Sequence, residues 1–212
     1  TGQLFGLPDA IADGYAVQNA LRQRLCAAGG RQVGWKIGLT SKAKMLQMGV
    51  SVPSIGFLME DTARADGSTI STQDLVHPRV ECEIAFFTKA ELHGPDCTAE
   101  QVLAATDYVV PAIEIIDSRF SGFKFDLPSV IADNGSSARF VPGTNRYAPD
   151  ALDLCTIHVA LEKNGEPVAS GMSDAVLGNP AIAIAMLVNL LAEHGETLPA
   201  QSFVMSGAIT EA

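Results

Sequence analysis

Two strand-like apolar segments of this chain carry carboxylates. Glu81 and Glu83 lie two apart in the run Arg79–Phe87, and both point to the same face if the run is a strand. Glu114 stands alone in the apolar run Val109–Ile116. An ionised carboxylate in such surroundings is costly unless it is neutralised, paired or bound to a metal. A fold that brings the three acids together would form a site for a hard cation, Mg²⁺ or Mn²⁺.

Each of these acids also has a simpler interpretation. Glu81 and Glu83 alternate with apolar residues, as the solvated face of an antiparallel strand does. Glu114 has apolar neighbours on both faces, and a buried ion pair with a Lys or Arg would account for it without a metal. The sequence alone leaves both interpretations open.

Composition and charge narrow the class of protein. The 212 residues suffice for one domain with a sizeable core, and 47% hydrophobic against 18% charged residues indicates a globular protein. A net charge of −10 argues against nucleic acid and against an anionic membrane surface as partners. An anionic small substrate is still compatible, because a bound divalent cation reverses the local field.

The cysteines and the apolar stretches predict a protein of the cytoplasm. The 4 cysteines form no CxxC pair, which leaves a zinc knuckle or a thioredoxin-like motif unsupported. No secretory leader is recognisable, so we expect reduced thiols. The longest apolar stretch, Ala181–Ala192, is shorter than the roughly 20 residues of a membrane span and is predicted to be a core helix.

Hydrophobic periodicity predicts one strand-rich α+β domain over residues 1–212. Predicted helices are Asp9–Ala28, Ser41–Gln47, a helix opening at Thr98, and Pro180–His194. Asn164-Gly165 predicts a β-hairpin, and Ser202–Met205 a last strand. The polar segment Asp117–Gly143 is predicted to be a long loop of the kind that binds ligands.

Three further residues have side chains suited to chemistry. Lys36 lies between two glycines, where backbone or ligand can approach closely; the simpler alternative is a lysine that reaches water from the core edge. Arg119 offers a planar fork for a substrate carboxylate, or pairs with Asp117 instead. Asp133 lies in a turn-like run and is a candidate acid or base.

The order of several short motifs resembles a known family. In chain order they are Gly34–Ser41, Met48–Val50, Gly56–Leu58, Arg79–Glu83, Asp117–Arg119, Ala132–Asn134 and Leu177–Gly178. Together they resemble the hydratase/decarboxylase branch of the fumarylacetoacetate hydrolase superfamily. The resemblance implies the C-terminal-domain fold of that superfamily, a mixed β-sheet roll with flanking helices.

The same resemblance implies a divalent-metal-dependent carbon–carbon lyase. Its implied metal ligands are Glu81, Glu83 and Glu114. Catalysis is expected from Lys36 and Asp133, and substrate binding from Ser41 and Thr210, with Arg119 as a further candidate.

Within the branch, Ser118–Leu127 is more similar to decarboxylases acting on 2-oxo-3-hexenedioate than to hydratases acting on 2-oxopent-4-enoate. We therefore expect a 2-oxo dicarboxylic acid substrate from the meta-cleavage catabolism of aromatic compounds, with Arg119 and Lys124 as candidates for its second carboxylate. A homo-oligomer, and association with the hydratase of the same pathway, are the expected assemblies. Members of the branch continue with further strands, so we expect this chain to lack its C-terminal strands.

The alternatives are a hydratase, a carbon–carbon hydrolase and a non-catalytic partner subunit. The hydrolase would need a water-activating His–Glu pair that the sequence does not identify. A partner subunit would have no use for the buried acids and Lys36.

Overall fold

The computed structural model describes residues 10–41, 45 and 53–212. The helices of this described part are α1 (Ala10–Ala27), α2 (Ala99–Ala105), α3 (Leu127–Ala132) and α4 (Pro180–Glu193). Its strands are β1 (Gln32–Gly38), β2 (Ser54–Met59), β3 (Arg79–Thr88), β4 (Thr106–Ile116), β5 (Ser137–Pro142), β6 (His158–Lys163), β7 (Glu166–Met172) and β8 (Phe203–Met205). Most of the helix predicted over Ser41–Gln47, and the motif Met48–Val50, lie outside the described residues.

Six strands form one mixed sheet in the order β2-β1-β8-β3-β4-β5. Strands β1 and β8 run parallel, and the other neighbours are antiparallel. The hairpin predicted at Asn164-Gly165 is present as the separate pair β6–β7. The predicted mixed sheet with flanking helices is therefore confirmed.

Helix α4 covers one face of the sheet and packs into the main hydrophobic core. Its inward residues are fully buried: Ala181, Ala183, Ile184, Leu187, Val188 and Leu191. They pack on Trp35 and Ile37 of β1 and on Ile84 and Phe86 of β3. The segment Ser173–Glu193 has the length and apolar composition of a membrane span, yet it is packed inside the domain as the predicted core helix.

Helix α1 contacts α3 and β2 through a glycine and a buried glutamine. A Cβ atom on Gly14 would lie 2.7 Å from the Pro128 carbonyl oxygen, so the glycine allows close contact with α3. Gln18 is buried, and its side-chain amide donates to the carbonyls of Ile55 and Ile131, both at 2.9 Å. Because of these bonds, α1 ties β2 to α3.

The prediction of one long loop over Asp117–Gly143 is wrong in part, since α3 and β5 lie within it. Asp126 caps α3 by accepting a hydrogen bond from the Ser129 amide at 2.9 Å. Strand β5 is stabilised by pairing with β4, a tertiary contact that local sequence does not reveal.

Candidate metal centre and substrate pocket

Three buried carboxylates meet on the sheet face opposite α4. Glu81 and Glu114 are directly opposite each other in the antiparallel pair β3–β4, and Glu83 follows on the same face. Their exposed fractions are 6%, 1% and 3%, and carboxylate oxygens from all three lie within 4.8 Å of one another. Like charges directly opposite in a sheet are destabilising, and burial increases the cost. Because Glu81 and Glu83 are buried, the interpretation that they line a solvated strand face is excluded.

Lys36 reaches this cluster from β1, three strands away. Strands are about 4.8 Å apart, so a flat sheet would separate β1 from β4 by roughly 14 Å. The Lys36 Nζ atom nevertheless lies 2.5 Å from Glu114 Oε1 and donates to the Gly135 carbonyl at 3.1 Å. The sheet must curl towards this face to allow the contact.

The buried ion pair considered for Glu114 is thus present, and it joins Lys36 to one of the three carboxylates. Among the four described groups of the cluster, three carboxylates lie beside one ammonium, so negative charges are in excess when all four are ionised. A divalent cation is the partner that would neutralise them, and carboxylate oxygens are the ligands that Mg²⁺ and Mn²⁺ prefer. The donor set therefore fits the metal that the sequence predicted.

Burial changes the pKa of two carboxyl groups of the cluster, those of Glu83 and Glu114. Burial first, and then repulsion from Glu114 and Glu81, raises the pKa of the Glu83 carboxyl well above its usual range. Burial also raises the pKa of Glu114, while the nearby Lys36 opposes that rise. The protein holds these acids in positions that favour protonation until a cation compensates them.

Gly207 holds Glu83 in place, a role that the sequence reasoning missed. The Gly207 amide donates to Glu83 Oε2 at 2.7 Å. Its φ of +106° suits glycine, and a Cβ atom there would lie 2.2 Å from Thr40 Oγ1. The signal in the sequence was a glycine two residues after the last predicted strand.

A pocket of about 500 Å³ opens onto the carboxylate cluster. It is lined by Lys36, by the three glutamates and by the predicted substrate-binding residues Ser41 and Thr210. Arg79, Phe123 and Phe125 form further walls. The pocket therefore brings together six of the eight residues predicted for the site.

A larger cavity of about 670 Å³ lies elsewhere, between β4 and the β6–β7 hairpin. Its walls are mostly apolar, and of the metal-binding candidates only Glu83 lines it. The smaller pocket therefore holds Lys36 together with all three glutamates.

Arg119 and Asp133 do not line the pocket, although both were predicted to act there. The Arg119 guanidinium donates to the carboxylate and to the carbonyl of Asp133, and to the Asp117 carbonyl at 3.2 Å. Asp133 also accepts from the Ser136 hydroxyl at 3.2 Å. These bonds occupy both side chains, so the geometry gives them a supporting position behind the pocket wall.

What they support is a left-handed turn over residues 134–136. Asn134, Gly135 and Ser136 have φ values of 54°, 61° and 56°. The Asn134 side chain fixes the turn to β2 through the Phe57 amide and carbonyl, at 2.9 and 3.0 Å. The Gly135 carbonyl then accepts from Lys36. The turn consequently positions Lys36.

Known proteins are similar to this chain in sequence and in fold, although no family model matches it. It is 55% identical over 206 residues to the 4-oxalocrotonate decarboxylase of Pseudomonas sp. (strain CF600), covering 97% of this chain and 78% of the relative. It is 39% identical over 201 residues to the 2-hydroxyhexa-2,4-dienoate hydratase of Comamonas testosteroni, covering 94% and 76%. A solved structure of 4-oxalocrotonate decarboxylase from Pseudomonas putida G7, complexed with magnesium and adipate, has a TM-score of 0.93 at 51% identity over 95% of this chain and 76% of that one.

The curled mixed sheet has the fold of the fumarylacetoacetate hydrolase superfamily, and its buried carboxylates form a candidate metal site. At the level of sequence, the chain belongs to the hydratase/decarboxylase branch of that superfamily. The resemblance inferred from motif order is therefore confirmed.

Proposed function

We propose that this chain is a divalent-metal-dependent decarboxylase that converts 2-oxo-3-hexenedioate to 2-hydroxypenta-2,4-dienoate and CO₂. The observation that carries the proposal is the buried cluster of three glutamates and one lysine at the base of a pocket. Relatives named decarboxylase are 55%, 50% and 42% identical, whereas relatives named hydratase are 38% to 40% identical. Adipate, bound in a solved relative, is a six-carbon dicarboxylate like the proposed substrate.

The proposed substrate is a vinylogous β-keto acid. When its distal carbon–carboxylate bond breaks, the electron pair moves through the C3–C4 double bond to the 2-oxo oxygen. A metal bound at Glu81, Glu83 and Glu114 supplies Lewis-acid stabilisation of the charge that develops there.

The residues of the chain prepare this site in two ways. Lys36 is buried and held between Glu114 and the Gly135 carbonyl, so its ammonium is aimed into the pocket before substrate binds. It can donate a hydrogen bond to the developing oxyanion without reorganising. Phe123 and Phe125 form an apolar wall that keeps water from the developing charge.

The proposal is tested by following 2-oxo-3-hexenedioate in the ultraviolet with CO₂ detection, first with Mg²⁺ and then with a chelator. We expect CO₂ release that stops when the metal is removed and returns when Mg²⁺ is added. Metal-dependent hydration of 2-hydroxypenta-2,4-dienoate without CO₂ release would contradict the proposal and favour the hydratase, which the relatives at 39% identity make the second candidate.

For the assembly and its setting, the proposal is a cytoplasmic homo-oligomer that associates with the hydratase of a meta-cleavage pathway. Helix α1 supports an oligomer, because Val17, Leu21 and Leu25 are 49%, 38% and 38% exposed and follow one another at four-residue spacing. Sedimentation of the full chain, alone and with the hydratase, tests both contacts.

Asp133 provides a test of the supporting turn. Replacing Asp133 with Ala removes the carboxylate that accepts hydrogen bonds from the side chains of Arg119 and Ser136. We expect the free energy of unfolding to fall by about 1–3 kcal/mol. Because the turn positions Lys36, kcat should fall with it while the pH–rate profile keeps its shape. Arg119→Met should reproduce both effects, and the exposed control Asp150→Asn should show neither. A changed pH–rate profile at unchanged stability would instead restore a direct proton-transfer role to Asp133.

A further inference from the structure

Arg79 lines the pocket and begins the motif Arg79–Glu83, but it has no part in the proposed mechanism. It is the first residue of β3 and precedes Glu81 by two positions, so the two side chains share one face of the strand. It is exposed at the mouth of the pocket, whereas the glutamates are buried at its base. This places a cation at the entrance, on the same side of the strand as the metal ligands.

The Arg79 guanidinium is held by an aromatic platform. Its Cζ atom lies 4.3 Å from the centre of the Phe123 ring, a cation–π distance. The Phe123 ring also contacts the His77 ring, with centroids 4.7 Å apart, and the Phe125 ring, with centroids 6.4 Å apart. The Asp117 carboxylate holds the segment Val76–His77 in place, because it accepts hydrogen bonds from the amides of these two residues at 2.8 and 2.7 Å. The guanidinium is therefore positioned before any ligand binds.

The charges of the pocket leave Arg79 available for an anion. Of the described residues that line the pocket, two are basic, Lys36 and Arg79. Lys36 is already paired with Glu114, but no described carboxylate lies within ion-pair distance of Arg79. Stacking on Phe123 leaves the edge of the guanidinium, with its fork of N–H donors, open to a carboxylate.

We propose that Arg79 binds the distal carboxylate of the substrate and makes the site selective for dicarboxylates. This inference rests on the proposed function, which requires a substrate with two carboxylates. The spacing agrees: alternate residues of a strand are about 7 Å apart. The two carboxyl carbons of an extended six-carbon diacid are separated by five carbon–carbon bonds, or about 6 Å. A diacid can therefore span from the acidic base of the pocket to Arg79.

The test is calorimetric binding of adipate and of hexanoate, its monoacid of equal length, to the Mg²⁺-loaded protein. We expect the wild type to prefer adipate. Arg79→Gln should weaken adipate about 10- to 100-fold and leave hexanoate unchanged, so that the preference disappears. Arg79→Lys should lose less, because it keeps the charge without the fork.

Arg146→Gln is the matched control, because Arg146 also stacks on an aromatic ring, Tyr108, at 4.3 Å, away from this pocket. Phe123→Leu removes the platform but keeps the cation, and we expect a loss of about threefold in adipate affinity. Thermal melting establishes that each variant is folded.

A wild type without preference for adipate overturns the inference, and so does a folded Arg79→Gln variant that keeps the preference. If the wild type still releases CO₂ from 2-oxo-3-hexenedioate in those cases, the proposed function stands and Arg79 alone is excluded. A wild type that neither releases CO₂ nor binds adipate overturns both.

Discussion

Replacing Glu83 with Gln is expected to abolish metal-dependent turnover, lowering kcat/KM by about a thousandfold or more. Glu83 is one of three buried carboxylates, and its replacement removes one anionic ligand and one negative charge from the cluster. Lewis-acid stabilisation contributes several kcal/mol, and each 1.4 kcal/mol is a factor of ten in rate. The Gln side-chain oxygen can still accept from the Gly207 amide, so the local fold should persist.

The same substitution should not destabilise the metal-free protein. The folded-state pKa of Glu83 is raised above its ordinary value of 4.5, so the group stabilises the fold below about pH 4.5 and loses that contribution as pH rises through the raised pKa. Above that raised pKa the wild-type cluster therefore carries repulsion between carboxylates that the Gln variant lacks. Bound Mg²⁺ relieves it too, so Mg²⁺ should raise the melting temperature of the wild type more than that of the variant.

The measurement is thermal melting from pH 4.5 to pH 8, with Mg²⁺ and with chelator, alongside turnover. Glu166→Gln is the control, because Glu166 is an exposed carboxylate on β7. It should change neither turnover nor the Mg²⁺ effect. Full turnover of Glu83→Gln, or an Mg²⁺ effect equal to that of the wild type, would show that Glu83 is not a ligand.

The cluster of three buried glutamates could be predicted because its signal is local. Carboxylates two apart in an apolar strand, and a third in another apolar strand, are costly enough that few arrangements explain them. What could not be predicted was their register: that Glu81 lies directly opposite Glu114 depends on how β3 pairs with β4. The contact of Lys36 with Glu114 depends further on the curl of the sheet.

The roles of Arg119 and Arg79 depend on tertiary contacts that the sequence does not reveal. Arg119 has the chemistry of a carboxylate binder, but its fork is taken by Asp133, a partner fourteen residues away. The sequence alone indicates no role for Arg79, because a basic residue at the start of a strand is common on any surface. Its role emerges only when tertiary structure places Phe123 beneath it. Residue type indicates what a side chain can do, and tertiary contacts determine whether it is available.

Replacing Lys36 with Met should destabilise the metal-free protein by about 3–5 kcal/mol, the cost of removing one partner from a buried pair. Lys36 is 4% exposed and is the ammonium bound to Glu114, so the variant leaves the buried Glu114 carboxylate without its ammonium partner. Mg²⁺ should recover part of this loss, because a divalent cation compensates the same charges. Turnover should stay low even with saturating Mg²⁺, since the donor aimed at the oxyanion is gone.

Urea unfolding in chelator and in Mg²⁺, for wild type, Lys36→Met, Glu114→Gln and the double variant, separates the two roles. The double variant should recover much of the stability lost by Lys36→Met, because no unpaired charge remains at that position, and the difference gives the coupling energy of the pair. It should not recover turnover. Lys89→Met, at an exposed lysine just after β3, is the matched control and should leave both quantities unchanged. A double variant as unstable as Lys36→Met would mean that Lys36 acts by packing alone, whereas recovered turnover would mean that its ammonium has no part in the chemistry.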